Sequence, residues 1–338
     1  MIDIFGKLTA DEKLKATQLL KQTGSSRVDE ADAAQRELAA ELSTPLRQGV
    51  LDGDIIGGIF QPSMFDVNAR TDYPIDLFRP DNDGEFVAFT IPNQGRIPER
   101  HVVGDYVTVP TYDIGAGIDF LLRFAREARW DVVARALEVL EAGFTKKLND
   151  DGWHTLLAAA VDRNILVSDS NATAGQFTKR LVSLMKLVMR RNSGGNSTST
   201  NRGKLTHLYL SPEAIEDMRN WGLDEVDDVT RREIYNADDG SLNRVFNVNM
   251  VDIDEFGASQ EYQNYFTNTL SGTMGSSDTE IAIGVDLGSN DSFVMPVREA
   301  LEVFPDPALH RQRRQGYYAW MSAGFGVLDN RRILLGSL

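Results

Sequence analysis

Apolar and polar residues repeat with two different periods between residues 102 and 148. Alternation with a period of two over 106–109 predicts a short strand. After a loop with glycines at 115 and 117, apolar or small residues recur at helical spacing from Asp119 onward, with charged residues between them. A helix that reached Leu148 would be roughly 45 Å long at about 1.5 Å per residue. On its own, such a helix is typical of a buried helix in an enzyme.

Two further helices are predicted in residues 1–48. Thr9 and Glu12 have the spacing of a capping box at the start of the first helix. The second helix, at about 29–42, alternates charges with alanines, so its thin apolar side needs a partner surface. We expect the sequence Ser-Thr-Pro at 43–45 to end it. The two helices then form an arm held by another surface, with a solvated helical tail as the alternative.

A β-hairpin is predicted next, because apolar runs at 75–78 and 85–91 flank a turn-rich segment at 79–84. Both faces of the second run are apolar. A projecting pair of strands is marginally stable alone. We therefore expect the hairpin to lie on another subunit.

The second half of the chain mixes strands and helices. The sequence Asp-Asp-Gly at 150–152 predicts a break, and a short apolar helix follows it. The remaining expected elements are an amphipathic helix at about 176–191, a polar loop at 192–203, a helix after Ser211-Pro212-Glu213, and strands at 205–210, 246–254, 280–286, 292–296, 300–304 and 317–327.

Composition excludes several classes of protein. The chain has 338 residues, 42% of them hydrophobic, which is enough for true cores and excludes wholesale disorder. Because there is no cysteine, disulfides, thiolate metal sites and cysteine nucleophiles are excluded. A net charge of −15 argues against tight nucleic-acid binding. We find no signal sequence and no run of about 20 apolar residues, so we expect no membrane segment and synthesis in the cytoplasm.

Candidate chemistry is sparse. Asp252 and Asp254 would face the same side of a strand, but a solvated strand face is the better interpretation than a cation site. We interpret His207 as a structural or interface residue. No hydrolase, metalloprotease or dinucleotide-binding motif occurs in the sequence. We therefore expect no catalytic residue, no cofactor and no metal site.

The order of elements, together with three short phrases, resembles the major capsid proteins of tailed bacteriophages, which have the Hong Kong 97-like fold. The phrases are Tyr-Val-Thr-Val-Pro at 106–110, Leu-Tyr-Leu-Ser-Pro at 208–212 and Tyr-Tyr-Ala-Trp at 317–320. The resemblance covers essentially the whole chain. It implies an α+β fold of five parts: an N-terminal helical arm at 1–48, an extended loop and entry strand at 49–110, a peripheral domain with a long spine helix at 111–154, an axial domain at 155–288, and a return to the peripheral domain at 289–338.

The function that the resemblance implies is structural. Hexamers and pentamers of the chain would form the icosahedral head around a double-stranded DNA genome, which the shell contacts non-specifically. Portal and scaffolding proteins are the implied partners, with or without a decoration protein on the outside, and the location is the virion. Subunit interfaces would be obligate, above ~2,000 Å² in total per subunit.

Two sets of residues are predicted to contact other molecules. The first set is expected at subunit interfaces, where the basic cluster near residue 312 would meet a neighbouring surface in preference to nucleic acid: Leu14, Leu19, Phe78, Arg79, Phe86, Phe89, Arg311, Arg313 and Arg314. The second set lies on the charged face of the predicted long helix and is expected to face the particle interior or a neighbour: Arg123, Arg126, Arg129 and Arg135.

The sequence departs from some members of the family in two respects. Some crosslink the extended loop through a lysine, but this chain has no lysine between Lys21 and Lys146, which predicts a shell without crosslinks. Some carry a long cleaved scaffolding region, whereas the short arm here predicts a separate scaffolding protein. The main alternative is an encapsulin-like compartment shell that encloses enzymes, and an enzyme with a deep polar pocket is the alternative from a different class.

Overall fold

The computed structural model describes residues 10–25, 28–52, 58–76, 104–127, 129–173, 175–192, 203–221, 244–270, 280–288 and 292–338. The chain divides into two compact units, each assembled from separate segments. The first unit contains Met1–Asp72, Thr108–Gly152 and Val294–Gly326. The second unit contains Tyr73–Val107, Trp153–Phe293 and Val327–Leu338.

The first unit is organised by a sheet whose strands are β1 (Gln61–Met64), β4 (Tyr112–Leu121), β10 (Phe293–Asp306), β11 (Arg314–Ala323) and β12 (Gly326–Val327). The strand order is β1-β10-β11-β4, in which β1 is parallel to β10 and the other neighbours are antiparallel. The short strand β12 also pairs with β10. The two separate strands predicted at 292–296 and 300–304 are therefore one strand, β10, and the strand predicted at 317–327 ends at Ala323.

The start of the predicted long helix is wrong. Residues 112–121, including Asp119, form β4, which pairs with all ten residues of β11. Helix begins only with α3 (Leu122–Arg126), and the long helix α4 spans Trp130–Asp162. Because β11 lies about 200 positions later in the sequence, local periodicity alone could not reveal this pairing.

The predicted break at 150–152 is also wrong, since α4 continues through these residues. The whole helix has 33 residues and is about 50 Å long at 1.5 Å per residue. Lys147 Nζ lies 2.7 Å from an Asp151 carboxylate oxygen, one helical turn away. Tyr112 donates its hydroxyl to the other oxygen at 2.7 Å. These two contacts stabilise Asp151 within the helix, although aspartate has a low intrinsic helix propensity.

Two N-terminal helices, α1 (Ala10–Thr23) and α2 (Val28–Asp52), pack against each other. Contrary to our expectation, α2 continues past the proline at 45, because Leu42 and Leu46 on either side of it are both buried. The arm is held within its own unit: Arg126 Nε donates to the Gly24 carbonyl at 3.0 Å, and Thr23 Oγ1 lies 3.2 Å from Gln315 Oε1. The solvated tail is thus the wrong alternative for these helices.

The second unit contains a six-stranded sheet with the order β5-β13-β9-β6-β8-β7. Its strands are β5 (Leu166–Ser168), β6 (His207–Leu210), β7 (Arg244–Val245), β8 (Val248–Asp252), β9 (Ile281–Val285) and β13 (Ile333–Ser337). Successive residues of β6 point to opposite faces. Leu208 and Leu210 pack with α5 (Lys179–Asn192) and α6 (Pro212–Arg219).

On the other face of β6, Tyr209 meets Trp153 with ring centroids 5.1 Å apart. Phe256 and Tyr262 complete this aromatic cluster, their centroids 5.3 and 5.9 Å from Trp153. Tyr262 belongs to a short helix, α7 (Glu261–Tyr265). Trp153 is 1% exposed, so the cluster is a core in its own right.

A separate two-stranded sheet pairs β2 (Asp72–Asp76) with β3 (Gly104–Thr108). The short strand predicted at 106–109 thus belongs to β3. The predicted partner of the first hairpin strand, at 85–91, lies outside the described residues. None of the helices above combines the length and apolarity that a membrane crossing requires.

Candidate assembly surfaces

The aspartates considered for cation binding do not form a site. Asp252 ends β8, and both it and Asp254 are exposed. Throughout the described part of the chain, no three His, Asp or Glu side chains are arranged to hold a metal ion. The exposure of both side chains agrees with a solvated strand face.

His207 connects two strands and a loop within its own unit. Its Nε2 is 2.9 Å from Asn249 Nδ2, and its Nδ1 is 3.1 Å from Thr206 Oγ1. Because the Thr206 hydroxyl donates to the Val285 carbonyl, the ring donates from Nδ1 and accepts at Nε2. Partial burial lowers the pKa of His207, and the charge of Arg244 lowers it further, which favours the neutral ring. This histidine holds strands together, as the sequence suggested.

An exposed aromatic surface lies on the sheet of the first unit. Phe304 of β10 pairs with Tyr318 of β11, and their ring centroids are 5.6 Å apart. Trp320 packs against both rings at 5.1 and 5.9 Å. We call these three residues the aromatic face. Tyr318 is 38% exposed and Trp320 is 46% exposed, although rings of this size are usually buried in a core.

Glycines in β4 leave the aromatic face uncovered on one side. The register places Gly117 opposite Tyr318 and Gly115 opposite Trp320, so no β4 side chain lies directly opposite either ring. Aromatic side chains that remain open in this way are enriched at protein interfaces. Our interface set omitted the aromatic face, although the alternation in Tyr-Tyr-Ala-Trp at 317–320 predicts that Tyr318 and Trp320, the second and fourth residues, share one side of a strand.

The interface residues predicted near the N-terminus are placed as follows. Leu14 lies in α1, and its side chain is outside the described set. Leu19 is 6% exposed and is buried within its own chain. Phe78, Arg79, Phe86 and Phe89 lie outside the described residues, so their contacts stay predictions.

The predicted basic cluster lies at the β10–β11 connection. Arg311 belongs to a 3-10 turn, Pro307–Gln312. Arg313 is exposed with a φ of 56°, and its carbonyl accepts from the Leu122 N–H at 3.0 Å. Arg314 forms an exposed ion pair with Asp119 at 2.8 Å. The connection is therefore shaped by contacts within the chain, and its role towards a neighbour stays a prediction.

The four arginines predicted on one helix face are divided between two helices and the link between them. Arg123 lies over the ring of Phe124, 4.8 Å from its centroid. Arg126 is used to bind the end of α1, and Arg129 pairs with Glu127 at 3.2 Å. Arg135 is exposed on α4. Their expected contacts with the particle interior or with a neighbour stay predictions.

Comparison of the sequence with known families gives no match: no family model and no curated protein is similar to it. Comparison of the fold with solved structures gives several matches. A structure from Microbacterium phage Oxtober96 superposes with a TM-score of 0.58 at 8% identity, over 84% of this chain and 90% of that one. The head structure of Helicobacter pylori bacteriophage KHP40 gives 0.55 at 10% identity, over 84% and 90%.

The capsid asymmetric unit of cyanophage Pam1 is similar as well, with a TM-score of 0.53 at 14% identity, over 82% of this chain and 88% of that one. At such identities the likeness establishes the fold. The expected α+β class and the Hong Kong 97-like fold are thus confirmed.

Proposed function

We propose, from the fold that this chain shares with subunits of tailed-phage heads, that it is a structural capsid protein that assembles with copies of itself. The observation that carries the proposal is the match along nearly the full length of both chains, 84% of this one and 90% of the KHP40 head protein. A shell protein needs extensive contact surface and no catalytic centre.

The finer form of the proposal is an icosahedral head of hexamers and pentamers that encloses double-stranded DNA. In this head α4 is the spine of a peripheral domain, and the sheet of the second unit belongs to an axial domain at the capsomer centre. Because β13 lies in that sheet, the axial domain of this proposal also includes residues 333–337, and the return to the peripheral domain at 289–338 is shorter than expected. Portal and scaffolding proteins complete the assembly. The aromatic face supports the proposal, because it gives the first unit exposed aromatic side chains that a neighbour could cover.

Electron microscopy of the purified protein, with sedimentation and nuclease protection, tests this function. We expect closed shells, and particles from the native source should contain nuclease-resistant DNA. Shells that contain a protein cargo and no DNA would establish the encapsulin-like alternative. A small uniform oligomer that never closes into a shell would refute both.

We also propose that the shell is not crosslinked. A chain without lysine at 22–145 cannot supply one from its extended loop. A denaturing gel and intact-mass measurement of mature particles should show only single, unlinked chains. A ladder of covalent multimers would contradict this part of the proposal.

A further inference from the structure

A phenylalanine occupies a turn position that strongly prefers glycine or asparagine. In the β7–β8 hairpin Val245 pairs with Val248, which leaves Phe246 and Asn247 as a two-residue turn. Both have positive φ, 51° and 64°, as a type I′ turn requires. A bulky side chain is rarely found in this region of φ. Since Phe246 is also 52% exposed, packing within its own unit does not explain the residue.

The turn is held in place by cationic side chains. Lys186 of α5 donates its ammonium group to the Phe246 carbonyl. Arg244 Nε donates to Asn249 Oδ1 at 2.7 Å, and that amide reaches the ring of His207. An aromatic ring on a pre-ordered turn, flanked by positive charges, has the character of a binding hot spot. We call Phe246, with Lys186 and Arg244, the basic tip.

The same unit carries an acidic surface at the opposite end of β6. His207, at the first position of this strand, lies beside the basic tip, and Ser211 follows its last position. Ser211 donates its hydroxyl to Glu280. Burial raises the pKa of Glu280, the Ser211 hydrogen bond lowers it, and the nearby charges of Glu213 and Asp217 raise it. Glu213 is exposed in the first turn of α6, so acidic side chains are grouped at this end of the strand.

Two complementary surfaces at opposite ends of one sheet suit a head-to-tail contact, which repeats from copy to copy and closes into a ring. We infer that the basic tip of one copy docks against the start of α6, around Glu213 and Glu280, in the next copy of this chain. A partner of the same sequence fits because the chain carries a net charge of −15, to which a basic tip is complementary. The inference rests on the proposed function and names one of its contacts.

Replacing Phe246 separates folding from assembly. Phe246→Gly removes the conformational cost of a bulky residue at positive φ, so the free subunit should melt at the wild-type temperature or higher. Assembly should require at least about tenfold more protein, as expected when a hot-spot ring is removed. Asn247→Gly is the matched control, because it relaxes the same turn and keeps the ring, so its assembly threshold should equal that of the wild type. Equal thresholds for Phe246→Gly and Asn247→Gly would overturn the inference.

A mixing experiment tests the head-to-tail geometry. Glu213→Arg should also impair assembly, because it places a positive charge opposite Lys186 and Arg244. A mixture of Phe246→Gly and Glu213→Arg subunits retains one good contact per pair, between an intact tip and an intact α6. Sedimentation should therefore show dimers in the mixture and monomers of each variant alone. Full assembly by either variant alone at the threshold concentration of the wild type would overturn the inference.

Three other outcomes would distinguish a failure of this inference from a failure of the proposed function. Phe246→Gly particles that form normally but hold less DNA would assign the tip to nucleic acid and overturn the inference. If wild-type subunits form small rings that Phe246→Gly disrupts, but never shells, the contact stands and the proposed function fails. Wild-type subunits that stay monomeric at every concentration would refute both.

Discussion

Removing the guanidinium of Arg332 will destabilise the second unit, because it leaves a buried carboxylate without its counter-charge. Arg332 Nη1 lies 2.8 Å from Asp286 Oδ2, and the two side chains are 9% and 4% exposed. Backbone N–H groups of Lys204 and Gly288 also donate to Asp286, at 2.9 and 3.0 Å. The carboxylate is thus fixed in place and cannot turn out to water when its partner is lost.

Breaking one partner of a buried ion pair costs about 3–5 kcal/mol. At about 1.4 kcal/mol per factor of ten, this raises the population of the open state by roughly a hundredfold to a few thousandfold. Hydrogen exchange of the unassembled Arg332→Met subunit measures the change in the paired strands β9 and β13. Their amides should exchange at least about a hundredfold faster than in the wild type.

Arg331→Met is the matched control for this measurement. Arg331 pairs with Asp329 at 2.7 Å, but the two side chains are 28% and 23% exposed, so its loss should cost less than about 1 kcal/mol. Adding Asp286→Asn to Arg332→Met should restore part of the protection, because it removes the charge left unpaired. Equal exchange in the Arg331 and Arg332 variants would refute the reasoning.

Three further predictions concern the two cores and pH. Gly324→Ala would press its Cβ against the Pro110 carbonyl oxygen, so thermal unfolding should show a loss of about 1–3 kcal/mol in the free energy of unfolding. Gly117→Ala is the control: the nearest atoms to its Cβ would be 3.7 Å away, so this variant should be as stable as the wild type. Trp153→Ala empties an aromatic core and should cost about 3–5 kcal/mol in urea unfolding. The lowered pKa of His207 means that the unfolded chain binds a proton first, so stability should fall as pH drops below about 6.5, and His207→Gln should remove this contribution to the slope.

Sequence periodicity predicted an element correctly where the burial of one apolar face determines its structure. The amphipathic helix predicted at about 176–191 is α5, since its apolar side packs on the sheet of the second unit. Periodicity failed at 112–121, because Ile118, Leu121, Leu122 and Ala125 have helical spacing while the first two lie in a strand. The ten-residue pairing with β11 decides this segment, and such a distant partner has no local signal.

The candidate surfaces were harder to predict than the fold. Alternation at 317–320 was sufficient to place two rings of the aromatic face on one side of a strand, but only the register shows that glycines lie opposite them. The basic tip could not be predicted, because a Phe-Asn turn is not a hairpin signal. Lys186, 60 positions before Phe246, meets it only in the folded unit.

The open side of Trp320 gives the protein a spectroscopic reporter. Among the described tryptophan side chains, Trp153 is 1% and Trp221 is 8% exposed, whereas Trp320 is 46% exposed. Because indole emission moves to shorter wavelength when water is removed, covering the aromatic face should shift the signal of Trp320 and leave the two buried indoles unchanged. Fluorescence of the unlabelled chain could then follow the association of subunits in real time.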